Sequence, residues 1–500
     1  MLADASGAAL LGPGGLVAVG VYLVALVGVG IAGRMAREQD SLNDFYLGGR
    51  NLGFFVLLLT LYATQYSGLT FVGFVGQSYR QGYGFLQAIP FTMSIVGAYF
   101  VIAPRLYRLS GSRGYITPGD FVQDRYESSL LTVLTTLVFI FALASYILAN
   151  LKAMGYVVQE ATGGRVSMAQ AIILLSLLMV VYETLGGMRG VAWTDVIQGT
   201  ILLLGCVVIF FAIAYHYGGP STIAGILQTE RPEFWRPPDL NAKCKWLSTL
   251  VLVATGVSIY PHAVQRIYAA KSRRALRRSL QVMIFMPLVT MLPMIYIGWV
   301  GAAYFPGLGK SDSEKVLPMV LNELFEIYPV FQFLLVLLVA AIIAAIMSTV
   351  DSALLAISSL FTQDFYRRVL PAAPQNRLTR VGKCFSWVLM GVMAYLAIRL
   401  PQTLWRLTEI KLEVLCQAAP TMFLGLHWAR VGAKSIVAGL VVGLIVTLTL
   451  LFGQDLGVSV SGRPWGVHAG IWALAANVLV VWVHSIFVSR QLTRRSQESA

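Results

Sequence analysis

The chain has 500 residues, of which 57% are apolar and only 12% charged, with a formal net charge of +14. Soluble proteins carry about 25% charged residues, and the mean hydropathy here is +0.72. These figures exclude a soluble multidomain enzyme and a disordered chain, and leave a polytopic, all-helical membrane protein.

The excess of basic residues does not point to nucleic acid. Lys and Arg cluster at the ends of apolar runs, where they fix orientation by staying in the cytoplasm. Cys206, Cys244, Cys384 and Cys416 show neither paired nor metal-like spacing, so no disulfide framework is expected. No nucleophile elbow, Walker A motif, Cys/His metal cluster or nucleotide domain is present, and catalysis is not expected.

Apolar runs of roughly 20 residues, enough to cross about 30 Å of hydrocarbon, predict thirteen spans. They fall at 14–33, 53–78, 85–106, 129–154, 166–185, 191–216, 247–269, 280–304, 331–362, 381–398, 402–428, 434–453 and 467–489. Only Arg399, Leu400 and Pro401 separate the tenth from the eleventh. Residues 1–15 lack Lys and Arg, so the first run is not a signal peptide, and Arg34 and Arg37 follow it. That places the N-terminus outside and, with thirteen spans, the C-terminus inside. The loops agree. Those assigned to the cytoplasm hold 24 Lys and Arg, with Arg266, Lys271, Arg273, Arg274, Arg277 and Arg278 counted in one of them, against 12 outside. This is the bias of the positive-inside rule.

Polar residues are costly in lipid, so polar interruptions are the informative positions. The second span, "LTLYATQYSGLTFVGFVGQSYRQGYG", holds Thr64, Gln65, Tyr66, Ser67 and Thr70 beside Gly68, Gly73 and Gly76. Small residues can simply allow close helix packing. With Gln65 and Ser67 beside them they also predict an interrupted helix that presents carbonyls to a ligand. In the seventh span Pro261 breaks the backbone ladder, with Tyr260, His262 and Gln265 around it. Two interrupted helices at equivalent places in two five-helix halves point to a transporter's central site. His262 reads either as a ligand contact or as a packing residue. The ninth span offers Ser348, Thr349, Asp351 and Ser352 within two turns. Such oxygens suit a hard cation. Ser and Thr can also bond back to i−4 carbonyls, but that does not explain a carboxylate. In the eleventh span Glu409 and Glu413 share a face. Either Lys411 pairs with one of them, or all three are solvated near the external interface.

Four segments resemble the sodium:solute symporter family, which includes proline, pantothenate, sugar and sialic acid symporters. They are "DFYLGGRNLG" (44–53), "YETLGGMRGVAWTDVIQG" (182–199), "PHAVQRIYAAKSRRALRRS" (261–279) and "AAIMSTVDSALLAISSLFTQDFY" (344–366). The likeness runs through spans 2 to 11 in order and spacing, and is greatest to the pantothenate-type branch. It implies a LeuT-type fold of five plus five inverted helices in one transmembrane domain. Residues 14–33 would be an extra N-terminal helix, 53–216 and 247–428 the two core repeats, and 434–489 two extra C-terminal helices.

By the same resemblance, a sodium ion would be held by the carbonyls of Ala63, Tyr66 and Ala345 and the hydroxyls of Ser348 and Thr349. A second cation site in some members corresponds to Asp195, Asp351 and Ser352. Asp351 departs from the family's hydroxyl pattern. It would strengthen that site, be protonated, or pair with a buried Arg. Substrate contacts correspond to Gln65, Ser67, Thr70, Tyr260, His262 and Gln265. The expected function is sodium-coupled symport of a small organic solute, such as a carboxylate or vitamin, an amino acid or a sugar, by alternating access. Sodium is the coupling ion, and no organic cofactor is expected. The setting is the plasma (inner) membrane, with a monomer as the functional unit. A proton-coupled symporter of the same fold is the alternative. A transporter-like sensor subunit is a third reading, against which stand the few residues after the last span.

Overall fold

The computed structural model describes residues 11–37, 41–67, 69–310, 312–327, 332–400, 404–453 and 463–498. Gly68, Pro401 and the start of the span expected at 402 lie outside them. Among the described residues the secondary structure is helical, apart from a single parallel bridge between Leu52 and Ala270.

The principal helices are α1 (Pro13–Met35), α2 (Phe54–Gln65), α3 (Phe74–Gln81), α4 (Ala88–Arg113), α5 (Ser129–Ala161), α6 (Met168–Tyr217), α7 (Leu240–Val257) and α8 (Pro261–Ala269). They continue as α9 (Met286–Tyr304), α10 (Gln332–Leu360), α11 (Gln375–Arg399), α12 (Leu404–Leu415), α13 (Ala419–His427), α14 (Ala433–Phe452) and α15 (Ala469–Glu498). By length and apolarity alone, nine helical segments among the described residues can cross a membrane, or ten if the bent pair α7–α8 is one crossing. Two sequence-predicted spans, 166–185 and 191–216, run together in α6, which is 50 residues long and interrupted at Gly187. Gly187 has φ 58° and ψ −152°. A Cβ there would stand 2.7 Å from Phe45, so both the backbone angle and the space require glycine.

α10 is the centre of the molecule. Of the apolar stretch within Val339–Val369, 94% is buried, against 17% for α1 and 22% for α15. α2, α5, α6, α8 and α11 pack around it. Buried polar residues on such a helix face protein rather than lipid. Large apolar side chains on the outer helices are exposed, among them Val17, Val21 and Val24 on α1, Leu174 and Phe211 on α6, and Trp482 and Phe487 on α15. Exposed apolar surface of this extent is what a lipid-facing belt requires.

α1 meets α6 backbone to backbone. A Cβ on Gly30 would lie 2.7 Å from the Tyr182 Cβ, and one on Gly33 would lie 2.8 Å from the Gly190 nitrogen. Small residues allow this approach between membrane helices. At the far end of α2 and α8, Leu52 accepts from the Lys271 N–H at 2.9 Å and donates to the Ala269 carbonyl at 3.0 Å. The segment entering one interrupted helix is thus tied to the segment leaving the other.

Candidate functional site

Both interruptions expected from the sequence are present. α2 ends at Gln65, and Tyr66 is extended, with φ −101° and ψ 117°. A π-helical turn, Leu69–Gly73, then leads into α3. In an unbroken helix the N–H groups of Ser67 and Thr70 would bond the carbonyls of Ala63 and Tyr66. Here Ser67 N–H donates to the Thr70 hydroxyl at 3.3 Å, and Thr70 N–H donates to the Ser67 carbonyl at 2.9 Å. The Ala63 and Tyr66 carbonyls are thereby released from their helical donors. α7 and α8 meet at 53° across Ser258–Tyr260, with Pro261 in the first turn of α8. Proline is tolerated there because its missing N–H would have had no helical partner.

The hydroxyls of α10 face this region. Thr349 Oγ1 donates back to the Ala345 carbonyl at 2.9 Å, and Ser348 Oγ donates to Asp195 Oδ1 at 2.5 Å. Ser348, Thr349, Asp351 and Ser352 are all buried. Neutral hydroxyl and carbonyl oxygens are the kind of donors that suit an alkali cation. Among the described residues no cluster of three His, Cys, Asp or Glu offers a site for a transition metal.

The residues expected at a second cation site take other partners. Asp195 and Ser352 both bond Arg266, whose Nη2 donates to Asp195 Oδ2 at 2.9 Å and to Ser352 Oγ at 2.5 Å. Its Nε donates to Thr60 Oγ1 at 2.7 Å and its Nη1 to the His262 carbonyl at 3.0 Å. Thr60 in turn donates to Asp195. Arg266 and Asp195 are both fully buried. A guanidinium therefore lies against two of the three predicted ligands, and neutralises the carboxylate that a cation would otherwise balance. The third, Asp351, accepts from the Tyr182 hydroxyl, and its other oxygen has no partner.

Two sequence expectations are corrected here. Arg266 was grouped with the loop cations that follow it, but it lies inside α8 and pairs with Asp195. Neither arrangement foreseen for Glu409, Lys411 and Glu413 holds. Glu409 accepts from Arg463 at 2.5 Å, and Glu413 lies 3.1 Å from His468 Nδ1. Lys411 pairs with neither. It is buried, with its ammonium 3.4 Å from the centroid of the Tyr146 ring and 5.7 Å from that of Tyr260.

The expected substrate residues divide into two groups. Tyr260 and His262 stack, with ring centroids 4.9 Å apart, and Tyr260 stacks on Tyr146 of α5 at 5.6 Å. The Tyr146 hydroxyl approaches the side chains of Ser67 and Thr349. Ser67, Thr70, Tyr260 and His262 therefore surround the break in α2. The two glutamines turn elsewhere, Gln65 Nε2 to the Thr92 carbonyl at 3.4 Å and Gln265 Nε2 to Ser359 Oγ at 2.5 Å. Tyr146, Thr60 and Tyr182 also line the site, although the sequence reading assigns none of them a role. A tyrosine or threonine in an apolar run has no periodic signature.

A model of the sodium:solute symporter family matches residues 45–443. The sodium/pantothenate symporter of Haemophilus influenzae is 27% identical over 85% of this chain and 87% of its own length. The sodium/pantothenate symporter of Escherichia coli is 28% identical over 87% and 90%. A sodium-coupled sialic acid symporter solved in a substrate-bound, outward-open state superposes with a TM-score of 0.78 at 22% identity, covering 94% of this chain and 97% of that one. That likeness shows a shared fold. The sodium in these names favours the sodium-coupled expectation over the proton-coupled and sensor alternatives. The chain belongs to the sodium:solute symporter family: it is a multi-pass membrane transporter rather than an enzyme, coupled to sodium and built to carry a small solute.

Proposed function

We propose that this chain imports a small organic solute across the plasma (inner) membrane with sodium, by alternating access. The supporting observation is the meeting of the broken helix α2 with the hydroxyl face of α10. The carbonyls of Ala63, Tyr66 and Ala345 and the hydroxyls of Ser348 and Thr349 form the sodium site. Thirteen crossings with N-terminus out and C-terminus in accommodate the helices, as two inverted five-helix repeats over 53–216 and 247–428. α1 stands outside the repeats, as do α14 and α15. The solute binds beside the breaks, against Ser67, Thr70, Tyr260 and His262, with Gln65 and Gln265 at the margins. The pantothenate transported by the named relatives is the first solute to test.

Sodium bound between α2 and α10 holds the outward-facing arrangement, and solute entry lets the two helix groups rock inward. One charge crossing 100 mV supplies about 2.3 kcal/mol, equivalent to roughly 50-fold accumulation. Arg266 already occupies Asp195 and Ser352, which supports one sodium per cycle over a second ion at Asp195, Asp351 and Ser352.

The test needs no known solute. Purified protein is melted in sodium chloride and in choline chloride, alongside Thr349→Val and the double variant Ser348→Ala/Thr349→Ala. Sodium should raise the melting temperature of the wild type and do nothing for the double variant. Full sodium stabilisation in both variants would place the ion elsewhere.

A further inference from the structure

Of the buried acidic residues of the site, Asp351 has only the Tyr182 hydroxyl, while three others face a basic side chain. Asp195 has Arg266, Glu409 has Arg463 and Glu413 has His468. Lys411 on α12 is 2% exposed, and among the described residues it has neither an ion-pair nor a hydrogen-bond partner. Its contacts are the faces of Tyr146 and Tyr260. An ammonium carries three donors and no acceptor, so all three are unused in a region shielded from lipid and largely from water. Placing a cation there without a counter-ion is costly.

Two more unsatisfied groups lie on the same aromatic stack. The Tyr260 hydroxyl and His262 Nδ1 are buried, and neither has a hydrogen-bond partner. Both residues are at least nine-tenths buried, and their rings stack on each other and on Tyr146. A charge without a counter-ion, a phenol and an imidazole nitrogen thus gather where α5, α8 and α12 meet the break in α2. A neutral solute would leave the charge unbalanced, and a cationic one would be repelled. A carboxylate can accept from the ammonium and from the phenol at once, and charge-assisted bonds of this kind are the stronger class.

We infer that Lys411 is the counter-charge for the carboxylate of the transported solute, with Tyr260 as its hydroxyl donor, so that the cargo is an organic monocarboxylate. This rests on the sodium-symport reading above. Tyr146 connects the two cargoes: its ring face carries Lys411, and its hydroxyl approaches Thr349 of the sodium site and Ser67 at the break. Sodium binding and carboxylate binding therefore share one side chain, and each strengthens the other.

The test measures binding to purified protein in sodium chloride and in choline chloride, using acids paired with neutral or esterified counterparts. The pairs are D-pantothenate with panthenol, N-acetylneuraminate with its methyl ester, and pyruvate with pyruvamide. At least one acid should bind in sodium, and its counterpart should bind about a hundredfold more weakly or less. Lys411→Met keeps the length and apolar stem of the side chain. It should weaken the acid by a similar factor and leave sodium stabilisation intact, whereas Lys411→Arg should retain most of the affinity. Tyr260→Phe keeps the ring and removes only the hydroxyl, so it gives an independent reading, with about a tenfold loss expected. The inference is overturned if no acid binds, if a counterpart binds as tightly as its acid, or if Lys411→Met binds the acid unchanged. Acid binding that is equal in choline would instead sink the sodium coupling while leaving the anion site standing. Sodium-dependent binding of a neutral counterpart alone would do the reverse.

Discussion

Replacing Arg266 by methionine isolates the buried ion pair and gives a result whose size can be worked out in advance. The guanidinium makes four hydrogen bonds, to Asp195, Ser352, Thr60 and the His262 carbonyl, at 2.5–3.0 Å. Its loss leaves Asp195 with the hydroxyls of Thr60 and Ser348 and no opposite charge. Removing one partner of a buried pair costs about 3–5 kcal/mol, because the remaining charge is uncompensated. That is a two- to three-and-a-half-order shift in the folding equilibrium. Removing the second charge as well, in Arg266→Met/Asp195→Asn, abolishes the stranded charge and should recover at least about 2 kcal/mol of the loss. The assay is a double-mutant cycle on purified protein, read by thermal and denaturant unfolding in detergent. Additive losses, with no recovery in the double variant, would show that the two charges do not stabilise each other. Sodium makes a second reading available on the same samples. In Arg266→Met the ion can take the place of the guanidinium between Asp195 and Ser352, so sodium should stabilise this variant more than the wild type. Equal sodium responses would refute the view that the arginine stands in for an ion.

Three further outcomes are expected. For a site of millimolar affinity, 100-fold excess sodium should stabilise the wild type by about 2.7 kcal/mol, and an unchanged melting curve would count against the α2–α10 site. Gly187→Ala places a Cβ 2.7 Å from Phe45 at φ 58°. It should cost about 1–3 kcal/mol, seen as a lower yield of folded protein, and normal yield and melting would show that the kink has slack. Asp351→Asn retains an acceptor for the Tyr182 hydroxyl, so sodium-dependent stabilisation should persist. Its disappearance would make Asp351 a cation ligand.

How much of this was legible in the sequence differs from residue to residue. Pro261 announces its break because a missing N–H has the same effect in any helix. The break near Gly68 was visible because polar residues flank the glycines in an otherwise apolar run. Thr349 beside Ser348 was visible for the same reason. Arg266 was misassigned because it begins a basic run that continues through Arg278. A charge run does not show where the membrane ends, and here α8 carries the first of these residues into the interior. The partners of Glu409 and Glu413 lie more than fifty residues away, at Arg463 and His468. Helical spacing alone offered only Lys411, so the pairing expected for it failed. The single long α6 has a related cause: residues 186–190 separate the two expected spans 166–185 and 191–216, whereas the backbone resumes its helix after one irregular residue, Gly187. Tyr146 could not have been found, since only the approach of three helices makes it central.

The close seating of α1 on α6 has a consequence for how the protein meets its lipid. Behind Gly30 lies Tyr182, whose hydroxyl holds Asp351, and Tyr22 of α1 accepts from Gln198 farther along α6, beyond the Gly187 interruption. No acyl chain fits between helices whose backbones touch, so α1 acts as a gasket between the Asp351 carboxylate and the bilayer. It cannot be shed as an accessory. Without it, a polar patch on α6 and α10 would face hydrocarbon, and the first casualty would be membrane assembly rather than transport rate.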